Sequence, residues 1–458
     1  MANDRTFETA PPRQKALLVG VERKGSDPLF PLNESLDELG ALAETAGLDV
    51  VGRTSQKLDH PNPATYVGKG KVEEIELLKR ESAAEVVVFD DELSPGQQRN
   101  LEEALGGLIL DRTALILDIF AQHAHTREGK LQVQLAQYEY RLPRLTRLWT
   151  HLARQTGGGA ARGGAGGVGL RGPGETQLEV DRREISRIIA SLKRDLEDVR
   201  KQRALHRINR RKSAIPVVAI VGYTNAGKST LLNTLTGANV LAEDMLFATL
   251  DPTTRRVKLP GGREALFTDT VGFIQKLPTQ LVASFRATLE EITESDVILH
   301  IVDITQENVE EQWQTVEDIL ADLGVEHYPT VVAVNKIDKL GSVEPRLEEK
   351  EFGLKILPPV ALGEGRLQAF LRDHPNAVAI SAEKGAGFDA LLMAVEAALS
   401  ERLVPIQAHI PYSRGDIVSL IHERGEIEEE EHTAKGTRLH ARVPRSMLPT
   451  VEEYLDTR

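Results

Sequence analysis

The stretch PVVAIVGYTNAGKST, residues 216–230, decides the fold of the central part of this chain. Its apolar first half is typical of a buried strand in a parallel sheet, and its glycine-rich second half opens a helix. Gly222, Gly227, Lys228 and Ser229 fill the spacing GxxxxGK[ST], in which backbone N–H groups at a helix start surround the phosphates of a nucleotide. The alternative is a chance glycine-rich turn, but the flanking strand and helix favour a P-loop.

The side chains of this predicted P-loop have separate tasks. Lys228 is expected to reach the β- and γ-phosphates, and the Ser229 hydroxyl is expected to bind Mg²⁺. The remaining residues of the loop are also expected to meet the nucleotide, namely Tyr223, Thr224, Asn225, Ala226 and Thr230.

Three further motifs follow in the order of a GTPase. Asp269-Thr270-Val271-Gly272 predicts a carboxylate that holds Mg²⁺ through water and a glycine N–H that faces the γ-phosphate. In Asn335-Lys336-Ile337-Asp338, the last carboxylate can accept hydrogen bonds from guanine N1–H and the exocyclic amine, which adenine does not offer. Ser381-Ala382-Glu383 ends another apolar run and places a backbone N–H near guanine O6. Each motif alone is weak evidence for a GTPase, but the four motifs together predict GTP as the nucleotide.

Longer stretches resemble one family. FATLDPTTRR (residues 247–256), DTVGFI (269–274), REGKLQVQLAQYEYRLPRL (127–145) and, most specifically, GPGETQLEVDRR (172–183) are similar to the HflX family of ribosome-associated GTPases, which are related to translation factors. The resemblance covers the chain apart from its ends. It implies that Thr249 is the switch threonine that closes on Mg²⁺ and the γ-phosphate. It also implies a metal site of Ser229, Thr249 and Asp269, and further nucleotide contacts from Phe247, Ala248, Leu250 and Asp251.

Length and patterning predict an α/β protein of several domains, because single cores stop growing at roughly 250–300 residues and this chain has 458. Strand and helix patterns alternate at residues 1–110, which predicts an N-terminal α/β domain. A basic helical hairpin with a Gly-rich loop is expected at 111–212 and the P-loop GTPase domain at 213–400. A small C-terminal α+β domain is expected at 401–458, and residues 340–376 suggest an irregular insert.

The predicted domain organisation depends on two predictions of helices. A first helix is expected over residues 35–46, with Ser35 as its cap. The hairpin is expected to consist of a helical run at 111–145 and a long helix at 175–212, joined by a short link. Apolar side chains recur in the second helix at three-to-four spacing, namely Val180, Ile185, Ile188, Ile189, Leu192 and Leu196.

The charge of the chain is unevenly distributed. Its net charge is −13, yet residues 141–212 contain 18 Lys and Arg against 7 Asp and Glu. Such a basic block is a candidate RNA-facing surface, and a solvated helical face is the alternative. Within it, residues 157–174 contain 10 glycines with Arg162 and Arg171. This segment is either a binding loop at the tip of the hairpin or a flexible linker.

Other features limit the protein class. The chain contains no cysteine, which excludes disulfides and thiolate chemistry. The N-terminus MANDRTFETAPPRQK lacks an apolar segment, so neither a signal peptide nor a membrane span is expected there. His123 and His125 are more typical of incidental histidines than of a metal site. We expect a cytoplasmic monomer that binds GTP and GDP.

The predicted catalytic groups are Lys228, Thr249, Gly272 and Asn225. Many GTPases have a water-orienting glutamine just after DxxG, but here that position is Phe273, whose ring can neither donate nor accept. We therefore expect slow intrinsic hydrolysis that a partner stimulates. Asn225 matches the position that coordinates K⁺ in related potassium-activated GTPases, although Asn is also a common turn residue.

Two functions fit these observations. The resemblance implies a factor that binds the large ribosomal subunit in the GTP state and separates the subunits of stalled or idle ribosomes under stress. The alternative is a regulatory switch that acts on a protein effector, such as a protease or an assembly factor, or on ribosome assembly, and that never touches RNA.

Overall fold

The computed structural model describes residues 13–25, 29–147, 173–213, 215–237, 246–247, 249–276, 289, 291–340, 347–350, 353–356, 362–401, 403–444 and 447–455. The chain forms two compact units. The first consists of Met1–Leu196 and Lys276–Ser284, and the second of Glu197–Gln275 and Phe285–Arg458. The expected α/β fold with a P-loop GTPase domain is confirmed, while the finer division into four domains stays a prediction.

The first unit is built on a four-stranded parallel sheet with the order β2-β1-β3-β4. Its core combines apolar side chains of the strands with those of the covering helices, including Leu17, Val87, Phe89 and Leu101. The elements are β1 (Lys15–Arg23), α1 (Leu32–Thr45), β2 (Asp49–Leu58), α2 (Lys69–Glu81), β3 (Val86–Phe89), α3 (Pro95–Leu105) and β4 (Leu108–Asp111).

The first predicted helix begins earlier than expected. Helix α1 starts at Leu32, and Pro31 occupies its N-cap position. Ser35 is not the cap, because its buried hydroxyl donates a hydrogen bond to Asp90 Oδ2 at 2.6 Å. The prediction of a Ser35 cap was therefore wrong, since a residue three positions into the helix uses its hydroxyl for a contact with a distant strand end.

The helical run at 111–145 is divided into α4 (Arg112–His123), α5 (Arg127–Arg141) and the 3-10 helix Leu142–Arg147. Each of the two α-helices has its own N-terminal cap, and the Thr126 cap lies at the break between them. Asp111 accepts from Ala114 N–H at the start of α4, and Thr126 accepts from Gly129 N–H at the start of α5. The long helix α6 (Pro173–Ser213) confirms the second predicted helix. Leu192 and Leu196 of α6 pack with Leu135 of α5 in one apolar cluster.

The second unit contains a six-stranded sheet with the order β12-β9-β8-β5-β7-β6, parallel except for the β6–β7 pair. Because the parallel strands share one direction, their carboxyl ends meet at one edge, where ligands bind in such sheets. The elements are β5 (Val217–Gly222), α7 (Lys228–Thr236), β6 (Thr253–Lys258), β7 (Glu264–Asp269), β8 (Val297–Asp303), α8 (Val309–Asp322), β9 (Thr330–Asn335), β12 (Ala377–Ala379) and α10 (Phe388–Glu401).

The predicted insert at 340–376 is more regular than expected. It contains the antiparallel pair β10 (Leu347–Lys350) and β11 (Gly353–Ile356), followed by α9 (Leu362–Asp373). Phe370 of α9 is buried, and it packs with Val302, Val332 and Val334. The prediction of an irregular segment was therefore wrong for α9, which is part of the core of the second unit.

The C-terminal elements form a three-stranded antiparallel sheet with the order β13-β15-β14. Its buried face packs on apolar side chains of α11, such as Ile417 and Ile421. The elements are β13 (Leu403–Ile410), α11 (Gly415–Arg424), β14 (Glu426–Thr433), β15 (Gly436–Pro444) and α12 (Leu448–Val451). In the described part of the chain, no helix is both long and apolar enough for a bilayer crossing.

Candidate nucleotide-binding site

The P-loop joins the end of β5 to the start of α7, as its sequence predicts. Lys228 is the first residue of α7, and its side chain is buried. Its Nζ donates to the carbonyl oxygens of Gly222 at 3.0 Å and Tyr223 at 2.7 Å. Burial lowers the pKa of Lys228 to about 8, against the opposing attraction of Asp269. The ammonium group is thus held inside the curve of the loop, where a phosphate would favour its charged form.

The close approach of the Asn335 side chain to the backbone explains why position 227 is a glycine. Its φ is +99°, and a Cβ at this position would lie 2.3 Å from Asn335 Nδ2. Asn335 uses this amide nitrogen to donate to Ala226 O at 2.8 Å, while its Oδ1 accepts from Ala382 N–H at 2.9 Å. Asn335 therefore joins the P-loop to the Ser381 loop, and the phosphate and base motifs form a single site.

The three predicted metal ligands lie together. Ser229 Oγ is 2.8 Å from Thr249 Oγ1 and donates to Asp269 Oδ2 at 2.7 Å, and Thr249 Oγ1 donates to the same oxygen at 3.0 Å. Burial raises the pKa of Asp269, although Lys228 and the two hydroxyls oppose this shift. Its Oδ1 is buried and has no hydrogen-bond partner among the described residues. A cluster of hydroxyl and carboxylate oxygens with one unused acceptor fits Mg²⁺, which prefers oxygen ligands.

The segment after Asp269 lies directly against the P-loop. A Cβ on Gly272 would be 3.0 Å from Lys228 Nζ and from Thr224 Cα. Phe273 is 2% exposed, so its ring is part of the interior. This position holds no group that could orient a water molecule.

The other predicted residues lie around this centre with different exposures. Phe247 is buried with a φ of +58°, and Asn225 is exposed with a φ of +59°. Ala248 lies outside the described residues. The buried members are Tyr223, Thr224, Ala226, Leu250, Thr270, Val271, Ser381 and Ala382; Thr230, Asp251, Ile337 and Asp338 are half-buried, and Glu383 is exposed. Their contacts with a nucleotide stay predictions.

Asp303 contacts the predicted base motif and was not assigned to the site by the sequence analysis. It ends β8 and is the register partner of Asn335 on β9. Its Oδ2 lies 2.8 Å from Lys336 Nζ, and its Oδ1 accepts from Thr305 N–H at 3.0 Å. Lys336 has a φ of +66°, so the ion pair holds a residue in a backbone conformation that is uncommon for side chains other than glycine. The sequence signal that could have identified Asp303 is an acidic residue at the end of a buried strand.

Four family models match successive parts of the chain. They are described as GTP-binding GTPase N-terminal (residues 33–121), GTP-binding GTPase Middle Region (123–210), 50S ribosome-binding GTPase (217–336) and HflX C-terminal domain (367–448). A GTPase HflX of Caldanaerobacter subterraneus subsp. tengcongensis is 45% identical over 436 residues, which cover 95% of this chain and 92% of the relative. The chain belongs to the HflX family of GTPases.

Other known proteins are also similar to this HflX family member. The GTPase HflX of Escherichia coli (strain K12) is 41% identical over 412 residues, which cover 90% of each chain. The solved structure of a GTP-binding protein from Sulfolobus solfataricus in complex with GDP is 24% identical, with a TM-score of 0.41, over 85% of this chain and 99% of that chain. As an HflX GTPase, the protein hydrolyses GTP to GDP and phosphate.

Proposed function

We propose that this HflX GTPase binds the large ribosomal subunit in its GTP state and separates the subunits of stalled or idle ribosomes under stress. The observation that carries the proposal is the match of residues 217–336 to a family model described as 50S ribosome-binding GTPase. The partner is then ribosomal RNA and protein, and the factor acts as a cytoplasmic monomer. An effector-directed switch remains the second candidate, and it predicts no ribosome binding.

The charge of the long helix α6 supports an RNA partner. Arg182, Arg187 and Arg194 are exposed on this helix, and they belong to the basic block at residues 141–212. Exposed arginines can pair with phosphates, and each such contact makes binding weaker as salt rises. Residues 157–172 of the predicted Gly-rich loop lie outside the described residues, whereas Pro173 and Gly174 begin helix α6. We propose this loop as the tip that approaches folded RNA, because glycines leave few side chains to exclude the RNA backbone.

Hydrolysis is proposed to be slow until the ribosome completes the site, because Phe273 replaces the water-orienting glutamine. Activating partners stimulate other GTPases by up to about 10⁵-fold. Asn225 is proposed as a K⁺ ligand beside the phosphates, and its position on an exposed turn is compatible with both that role and a simple turn residue. Equal turnover in potassium and sodium salts would remove the K⁺ role and leave stimulation by the ribosome open.

Co-sedimentation with purified large subunits tests the binding proposal. With a non-hydrolysable GTP analogue the protein should migrate with the subunits, and with GDP it should stay free. Replacing Arg182, Arg187 and Arg194 by Gln should weaken binding, and the slope of log affinity against log salt concentration should become shallower by about one for each lost phosphate contact. Arg372→Gln, an exposed cation on α9, is the matched control. Free protein in both nucleotide states would favour the effector-directed switch.

A further inference from the structure

The side chain of Tyr223 contacts the segment after DxxG. Tyr223 is 4% exposed, and its hydroxyl accepts a hydrogen bond from the backbone N–H of Gln275 at 2.9 Å. A P-loop binds phosphates mainly through backbone N–H groups, so phosphate binding alone does not explain a buried phenol at this position. Both residues belong to the second compact unit.

Two backbone hydrogen bonds also join the P-loop to the segment after DxxG. Thr224 N–H donates to Phe273 O at 2.8 Å, and Phe273 N–H donates to Gly222 O at 3.1 Å. Tyr223 and Phe273 are thereby paired like residues of two parallel strands. The Tyr223 hydroxyl extends this attachment by two residues, from Phe273 to Gln275. The next residue, Lys276, has a φ of +53°, a backbone conformation that is uncommon for side chains other than glycine.

Gly272 is the residue whose position depends on this attachment. It precedes Phe273, and a Cβ at Gly272 would lie 3.0 Å from Thr224 Cα, Thr224 Cγ2 and Lys228 Nζ. Gly272 therefore has little freedom to move toward the P-loop, and it can move away only if the bonds at residues 273–275 open. Its N–H is the group predicted to meet the γ-phosphate, which GTP has and GDP lacks.

We propose that the Tyr223 hydroxyl is a positioning group for the γ-phosphate sensor: it holds residues 273–275 against the P-loop and so places the Gly272 N–H. Through this contact Tyr223 favours GTP over GDP without touching the γ-phosphate itself. The inference concerns the nucleotide site alone and does not depend on ribosome splitting.

Tyr223→Phe removes the hydroxyl and keeps the ring. A typical net hydrogen bond corresponds to about a two- to tenfold change in an equilibrium constant. We expect the affinity for a non-hydrolysable GTP analogue to fall by that factor, while the affinity for GDP changes by less than about twofold. The full-length protein and fluorescent derivatives of both nucleotides suffice. The matched control is Tyr328→Phe, which removes a hydroxyl bonded to Thr293 O at 2.7 Å elsewhere in the unit; both affinities should stay unchanged.

Two results would overturn the proposal. Equal losses for both nucleotides would mean that the hydroxyl supports the P-loop itself, and unchanged affinities for both would mean that it positions nothing. Amide hydrogen exchange gives an independent readout in the nucleotide-free protein. The Gln275 N–H should exchange faster in Tyr223→Phe than in wild type, and equal exchange rates would contradict the proposed contact.

Discussion

Asp338 lies half-buried on the 3-10 helix Ile337–Lys339, directly after Lys336. Lys336 is held by Asp303, and Asn335 is bonded to the P-loop and to Ala382. The backbone that leads into Asp338 is therefore fixed by these contacts. A carboxylate on such a rigid support can select a base by its donor pattern, since a mismatched base cannot be accommodated by a shift of the loop.

Base selection gives the first prediction. Asp338→Asn should shift the preference from GTP toward xanthosine triphosphate, because an amide can donate to the 2-oxo group of xanthine and still accept from N1–H. Competition binding with the two nucleotides measures the change. Asp322→Asn, an exposed acid at the end of α8, is the control and should keep the GTP preference. An unchanged preference in Asp338→Asn would remove this residue from base recognition.

His300 gives a pH-dependent prediction. It is buried on β8, stacks on Trp313 with 4.3 Å between ring centroids, and its Nδ1 lies 3.2 Å from Glu317 Oε1. Burial lowers its pKa below the ordinary value of 6.5, although Glu317 opposes this shift. The unfolded chain therefore binds more protons than the folded one as the pH falls below 6.5, so acidification should destabilise the second unit.

Urea unfolding of the second unit checks this expectation. In a Trp149→Phe background, Trp313 is the only tryptophan and reports the transition by its fluorescence. Wild type should lose unfolding free energy between neutral pH and a pH below 6.5. His300→Phe should lose less than wild type, by about 1.4 kcal/mol for each unit by which the pKa of His300 differs between the folded and the unfolded chain. The exposed His327 supplies the control His327→Phe. Identical pH slopes for wild type and His300→Phe would contradict the neutral buried histidine.

At the scale of single residues, the sequence analysis predicted the site residues that lie at strand ends or shortly after them. Ser229 and Asp269 could be placed together because β5 and β7 are adjacent parallel strands whose carboxyl ends meet. Thr249 required the family resemblance, since no periodic pattern surrounds it. Asp303 was recognisable as an acidic residue at a strand end, but the side-chain contacts of Tyr223 and Asp303 could not be predicted, because they depend on side-chain directions that only the packed sheet determines.

At the scale of elements, helices α5 and α6 pack through an apolar contact. Leu135, Leu192 and Leu196 are buried in it, and Lys193 Nζ lies 2.8 Å from Glu139 Oε1 beside it. Val180 follows the same three-to-four spacing in α6 but is 51% exposed. Periodicity identified the apolar face of the helix, but it could not tell how far the partner helix extends along that face.

This difference gives a prediction with an internal control. Leu192→Ala should destabilise the first unit by about 2–5 kcal/mol, because it removes buried methyl groups and leaves a cavity. Val180→Ala in the same helix should change stability by about 0.5 kcal/mol or less. Differential scanning calorimetry of the two variants measures both effects. Similar losses in stability for the two variants would contradict the described packing of α5 against α6.

The break within the predicted helical run at 111–145 illustrates another limit of sequence reasoning. Residues 112–141 are rich in helix-forming side chains, so a continuous helix was a reasonable prediction. The chain instead ends α4 at His123 and begins α5 at Arg127, with Thr126 as its cap. The signal was present in Thr126, but a single threonine also fits within a helix, and only tertiary packing decides between the two.

For the whole molecule, the separation of charge suggests how the parts are used. The chain is acidic overall, yet residues 141–212 carry a net charge of +11. An anionic RNA would attract this block and repel the acidic remainder, which favours docking through the hairpin. In the proposed function, GTP binding and hydrolysis would control when this basic block engages the ribosome, and residues 157–174 are the segment proposed to act on the RNA.

Subunit separation measured by light scattering tests this account most directly. Purified ribosomes are mixed with the protein and GTP, and the decrease in scattering is compared for wild type and a variant that lacks residues 157–169. The account predicts that wild type separates the subunits, whereas the variant binds GTP normally, because its P-loop at 222–229 is intact, but leaves the ribosomes whole. Equal splitting by both proteins would contradict the role of the loop, and no splitting by wild type would contradict the proposed function.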